Sequence, residues 1–70
     1  MSGLRKRSIS LAGHATSLAL EAEFWTALEA LAAARDFSLA ALIGAIDIQR
    51  GERPLASACR VAALEFFRTR

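Results

Sequence analysis

The N-terminal part of the chain alternates polar and apolar residues in two short runs. Ile9 and Leu11 are the apolar members of the first run, and Leu18 and Leu20 are those of the second. A period of two is typical of a half-buried strand. The apolar positions are odd in one run and even in the other, so a turn or bulge at Gly13 must reset the phase. The pattern predicts a strand region over residues 8–20.

Three later segments repeat apolar residues at helical spacing. We predict helices over residues 21–35, 38–50 and 54–68, separated by short breaks. Ser38 has the side chain of a good N-cap, and Gly51 is suited to ending the second helix. The third segment is apolar around most of its circumference, which indicates burial on more than one side.

Length and composition narrow the ways in which this chain can be stable. Seventy residues make a single domain, 1–70, whose core alone would be marginal. Cys59 is the only cysteine and His14 the only histidine, which excludes an intrachain disulfide and disfavours a structural zinc site. Because 54% of the residues are hydrophobic, we expect a second subunit to stabilise the chain. We expect no cofactor and no metal.

The charge is concentrated at the ends of the chain. Residues 1–14 contain Arg5, Lys6 and Arg7 and no acid, and we expect residues 1–7 to form a flexible basic arm. This arm either grips a phosphate backbone or is a solvated tail. No run approaches the roughly 20 apolar residues of a membrane span, and the segment after the basic cluster is too polar for a signal peptide. We therefore expect a cytoplasmic protein with no membrane partner.

The order of strand, helix, short break and helix is found in TSLALEAEFWTALEALAAARDFSLAALIGAI. It resembles the ribbon-helix-helix, or MetJ/Arc-type, family of DNA-binding proteins. RKRSISLAGHATSLALEAEFW, with a helix after GERPLAS, is similar to a group of short bacterial members with an added C-terminal helix. The resemblance implies a mostly α fold in which short N-terminal strands pair across an intertwined homodimer and three helices follow.

The resemblance also assigns roles to individual residues. The family places its ribbon in the major groove, so Ala15, Ser17 and Ala19 would face the bases. Two of these three are alanines, which can contact only a thymine methyl group. The N-terminus of the second helix, at Ser38 and Leu39, would join the basic arm in contacting phosphates. The expected dimer core consists of Leu18, Leu20, Phe24, Trp25, Leu28, Leu42, Ile43 and Ile46.

Two functions are compatible with these features. The first is a DNA-binding homodimer that regulates transcription. The second is an interaction or dimerisation module, for example antitoxin-like, without sequence-specific DNA recognition, whose C-terminal helix meets a protein partner. The sequence contains no paired nucleophile and base and no Gly-rich phosphate loop, so we expect no enzymatic activity.

Overall fold

A computed structural model describes residues 3–69 as a β-hairpin followed by three helices. The strands are β1 (Leu4–Leu11) and β2 (His14–Glu21), and the helices are α1 (Ala22–Ala34), α2 (Leu39–Gln49) and α3 (Leu55–Arg68). The mostly α ribbon-helix-helix architecture predicted from the sequence is confirmed.

A two-residue turn joins the strands and accounts for the change of phase in the sequence. Ala12 and Gly13 have φ values of 53° and 83°, and positive φ at both central residues defines a type I′ hairpin turn. Leu11 pairs with His14, and the antiparallel register continues to Leu4 opposite Glu21. Odd positions of β1 therefore share a face with even positions of β2.

The strands pair with each other over their whole length. β1 pairs with β2 of the same chain, and pairing of strands across two chains, which the resemblance implied, stays a prediction. Residues 4–7, expected in a flexible arm, belong to β1 because β2 is long enough to pair with them. Of the expected arm, residues 1 and 2 lie outside the described part of the chain.

The inner face of the hairpin packs on the helices and forms a core inside one chain. Leu18 and Leu20 of β2 are buried together with Leu28, Leu42 and Ile43. These residues and Trp25 were expected to be buried between two chains. In this structure the hairpin and α3 of the same chain cover them. Phe24 and Ile46 are only half-buried at the border of this core.

The helix ends follow from local backbone chemistry. Asp36 has a φ of 60° after α1, and the Asp36 and Phe37 amides donate to the Ala33 and Ala32 carbonyls at 3.1 and 2.8 Å. This Schellman motif satisfies carbonyls that the helix leaves unpaired. Ser38 is the N-cap of α2, as predicted, and its Oγ accepts from the Ala41 amide at 3.0 Å.

Helix α3 is buried on one side only. Ala58, Cys59 and Ala63 are buried against the other helices and β2. The opposite side exposes Leu64 by 58% and Phe67 by 49%. The sequence predicted burial on more than one side, and a single chain does not provide it.

Candidate nucleic-acid interface

The hairpin has an outer face of small and polar side chains that points away from the helices. Three cross-strand pairs form its central part, and we call these six residues the outer face: Lys6 opposite Ala19, Ser8 opposite Ser17, and Ser10 opposite Ala15. All are exposed except Ala19, which is half-buried. Lys6 is the only charged residue of the six, and the next pair along the same side of the hairpin is Leu4 opposite Glu21.

The expected base-facing residues Ala15, Ser17 and Ala19 all lie on this face. The hairpin places Lys6, Ser8 and Ser10 beside them. Sequence reasoning had assigned Lys6 to phosphate contacts and missed Ser8 and Ser10. The sequence analysis did not use the length of the turn, which determines the residues of β1 and β2 that share a face. With only Ala12 and Gly13 between the strands, even positions of β1 must share a face with odd positions of β2.

The basic residues of β1 have different surroundings. The Arg7 guanidinium donates to a carboxylate oxygen of Glu29 at 3.0 Å and stacks 4.6 Å from the centre of the Trp25 ring. Trp25 is 2% exposed, and its indole Nε1 donates to the Arg5 carbonyl at 2.8 Å. Arg7, expected on phosphate, therefore helps to fasten β1 to α1, because its charge is already paired on the inner face.

Arg5 and Lys6 border a cleft beside this attachment. The cleft has a volume of ≈ 370 Å³ and lies between β1 and the first turns of α1, where Ala22, Trp25 and Thr26 complete its wall. Within residues 3–69, no ion pair involves Arg5 or Lys6. Their charges are available to an anion at the edge of the outer face.

The N-terminus of α2 supplies a second place of positive potential. Ser38 is exposed and Leu39 half-buried. The Ser38 hydroxyl oxygen is engaged as the cap acceptor for the Ala41 amide. First-turn amides and the helix dipole attract anions at such an end. Ser38 and Leu39 both lie at this terminus. The Ser38 hydroxyl oxygen caps the helix, so the backbone amides of the first turn are the groups left to contact an anion.

An ion pair ties the end of the hairpin to α3. The Nη2 and Nε atoms of Arg60 donate to one carboxylate oxygen of Glu21 at 2.9 and 3.0 Å. The pKa of Glu21 is lowered, first by its backbone hydrogen bond and then by the hydrogen bond from Arg60. The pair holds α3 against β2 at neutral pH.

The single cysteine of the chain, Cys59, is buried in α3. Burial raises the pKa of the Cys59 thiol to about 11, which keeps it protonated and unreactive. Residues 3–69 contain no group of three or more His, Cys, Asp or Glu side chains that could hold a metal ion. Within the same residues, no helix has the length and apolar character needed to cross a membrane.

Comparison with known families agrees with this architecture. The family described as the ribbon-helix-helix domain matches residues 4–67. The chain belongs to this family. No curated protein and no solved structure matches the sequence. Ribbon-helix-helix proteins are in general DNA-binding regulators or antitoxin-like proteins, are typically not enzymes, and typically form homodimers.

Proposed function

We propose that this ribbon-helix-helix protein is a DNA-binding homodimer that regulates transcription in the cytoplasm of a bacterium. The observation that carries the proposal is the outer face of the hairpin, which is exposed, narrow and positively charged at Lys6. The acid that follows it on β2, Glu21, is paired with Arg60. A two-stranded ribbon of this kind fits the B-DNA major groove, which is about 12 Å wide, since paired strands lie only about 4.8 Å apart.

Phosphate contacts would come from the edges of this ribbon. Arg5 and Lys6 lie at the cleft beside α1, and the first turn of α2 begins after Ser38 with the amide of Leu39. Cations and helix N-termini are the groups that proteins commonly place against the DNA backbone. Such contacts set the position of the ribbon in the groove without reading its sequence.

The homodimer is supported by α2. The only polar residues of this helix are Asp47 and Gln49 near its end, yet Ala40 and Ala41 are exposed and Ile48 is 84% exposed in the single chain. A helix without a polar face is normally buried. A second copy of the chain would cover this surface.

The salt dependence of binding to double-stranded DNA tests the proposal. A labelled duplex of random sequence should bind at about 50 mM salt and weaken steeply toward about 200 mM. Replacing Arg5 and Lys6 together by alanine should flatten the slope of log affinity against log salt by up to about 3.6 in a dimer, at about 0.9 for each of four cations. Absence of binding by the wild type at low salt would refute DNA binding.

The alternative, an interaction module without sequence-specific DNA recognition, is favoured by one observation. Phe24 and Ala27 of α1 and Val61, Leu64 and Phe67 of α3 line an open apolar groove of ≈ 360 Å³. An amphipathic helix of a protein partner would bury its apolar face in such a groove. If the first function is correct, Leu64→Ser with Phe67→Ser should leave DNA binding intact, and the wild type should prefer some duplex sequences over random duplex. If the second is correct, the wild type should show no sequence preference.

A further inference from the structure

We propose that a second copy of this chain docks in the apolar groove between α1 and α3, with the α3 helices of the two subunits antiparallel across a two-fold axis. This contact is separate from the α2 surface of the proposed homodimer and from the hairpin. Each chain then has two self-complementary surfaces, and the groove contact joins two α2 dimers into a tetramer. The proposal does not depend on DNA binding.

The groove presents apolar side chains that the chain itself does not cover. Phe24 and Ala27 form its α1 wall, and Val61, Leu64 and Phe67 form its α3 wall. All three residues of the α3 wall are exposed in the single chain. A contiguous apolar surface of this kind, with charged residues only at its rim, is typical of an interaction site.

Helix α3 is itself the kind of element that such a groove accepts. Val61, Leu64 and Phe67 recur at intervals of three residues, the spacing at which a docked helix places its anchors. A two-fold axis near Leu64 sets Leu64 of the partner subunit against Leu64, and Phe67 of the partner subunit against Val61. The same side chains then serve as wall and as anchor, which is the requirement for an interface between identical surfaces.

The charges at the rim of the groove favour the antiparallel arrangement. Glu23 lies where α1 begins, and Arg60 lies at the same end because its guanidinium is 5.6 Å from the centre of the Phe24 ring. Arg60 is paired with Glu21, whereas Glu23 has no ion pair within residues 3–69. Arg68 lies at the opposite end, in the last turn of α3. An antiparallel second copy brings Arg68 of the partner subunit to Glu23, twice in each pair of subunits.

The Arg68 side chain has the capacity for this second contact. Its Nη2 donates to a carboxylate oxygen of Glu65 at 2.8 Å, and the side chain is 62% exposed. A guanidinium has five N–H donors, so donors remain for the carboxylate of Glu23. A parallel pairing of the two α3 helices would instead set the two Arg68 residues side by side and leave Glu23 without a cation.

Analytical ultracentrifugation without DNA tests the contact, in an Ile48→Asp background that removes the proposed α2 interface. The Ile48→Asp protein should still form dimers through the groove. Adding Leu64→Ser and Phe67→Ser should weaken this association at least about tenfold, because apolar anchors at the centre of an interface carry most of its affinity. Adding Leu4→Ser instead is the matched control, since Leu4 is 57% and Leu64 58% exposed, and should leave the association unchanged.

Exchange of the rim charges tests the arrangement in the same background. Glu23→Arg and Arg68→Glu should each weaken the association about fivefold, because each ion pair occurs twice across the two-fold axis. The variant with both changes should recover the affinity to within about twofold. Glu52→Arg makes the same change of charge in the loop before α3 and should have no effect.

Circular dichroism checks that every variant folds. A monomeric Ile48→Asp protein would overturn the proposal, and so would an association that Leu64→Ser with Phe67→Ser leaves unchanged. Failure of the combined charge exchange to recover affinity would also overturn it. These measurements contain no DNA, so their failure leaves the proposed DNA-binding function in place.

Discussion

At the scale of single residues, Ala12 sits in a backbone conformation that alanine disfavours. Its φ of 53° lies in the left-handed region, where an L-residue with a Cβ atom costs roughly 1–2 kcal/mol. Asparagine followed by glycine is the preferred pair for a type I′ turn, and Gly13 already occupies the second position. The turn is therefore determined by hairpin pairing more than by its own sequence.

Ala12→Asn should stabilise the protein by about 0.5–1 kcal/mol, because asparagine tolerates the left-handed region better than alanine does. Thermal unfolding followed by circular dichroism measures the effect. Ala12→Val is the matched opposite, since a β-branched residue is strongly disfavoured at positive φ. Equal melting temperatures for the two variants would show that the turn is not type I′ in solution.

Arg7 and Lys6 are adjacent in sequence but should differ in what they do for the fold. Arg7→Ala removes an exposed ion pair and a stacking contact with Trp25, which together are worth about 1 kcal/mol of unfolding free energy. Lys6→Ala should change stability by less than about 0.5 kcal/mol, because Lys6 is exposed on the outer face. Urea denaturation measures the unfolding free energy of both variants. Equal decreases for Arg7→Ala and Lys6→Ala would contradict the attachment of β1 to α1 through Arg7.

At the scale of secondary structure, the sequence located the three helices closely and the strands only in part. Helical periodicity and the Ser38 cap are local signals, so the helices begin and end within about two residues of their predicted limits. β1 was partly hidden because Arg5 and Arg7 occupy inner-face positions that the alternation would give to apolar residues. Trp25, which contacts the Arg5 carbonyl and the Arg7 guanidinium, becomes their neighbour only once α1 is folded against the strand.

The ion pair between Glu21 and Arg60 should make stability depend on acid pH. The folded-state pKa of Glu21 is lowered from its ordinary value of 4.5, so its contribution is present above pH 4.5 and is lost as the pH falls through the folded pKa. Glu21→Gln should lower the melting temperature at pH 7 and reduce the difference between pH 7 and pH values below 4.5. Glu52→Gln, at an exposed position in the loop before α3, is the matched control. The same pH dependence in wild type and Glu21→Gln would contradict a role for this pair.

At the scale of the whole molecule, the chain closes its own core and still leaves apolar surface on α2 and α3. Sequence patterns identified the core residues but could not say that one chain would bury them, because periodicity gives the faces of elements and not their partners. Leu18 and Leu20 were expected to need a second chain, whereas the chain's own elements cover them. In the proposed homodimer these two side chains would already be buried within each subunit.

The proposed dimer predicts a specific effect at Ile48. Ile48→Asp should keep the helical circular dichroism signal, because the side chain is 84% exposed in the single chain. It should weaken self-association by at least tenfold in analytical ultracentrifugation, because it buries a charge in an apolar interface. Gln49→Asp places the same charge on the next exposed residue and should have a smaller effect. An unchanged association constant for Ile48→Asp would exclude α2 as the dimer surface.

The central claim is that the outer face of the hairpin meets DNA, and an NMR titration of isotope-labelled protein with a selected duplex measures this contact directly. We expect the largest amide shifts at Lys6, Ser8, Ser10 and Ser17 and at the first turn of α2 after Ser38, with the groove between α1 and α3 little changed. Shifts confined to that groove, or no shifts at about 50 mM salt, where phosphate contacts are strong, would contradict the claim.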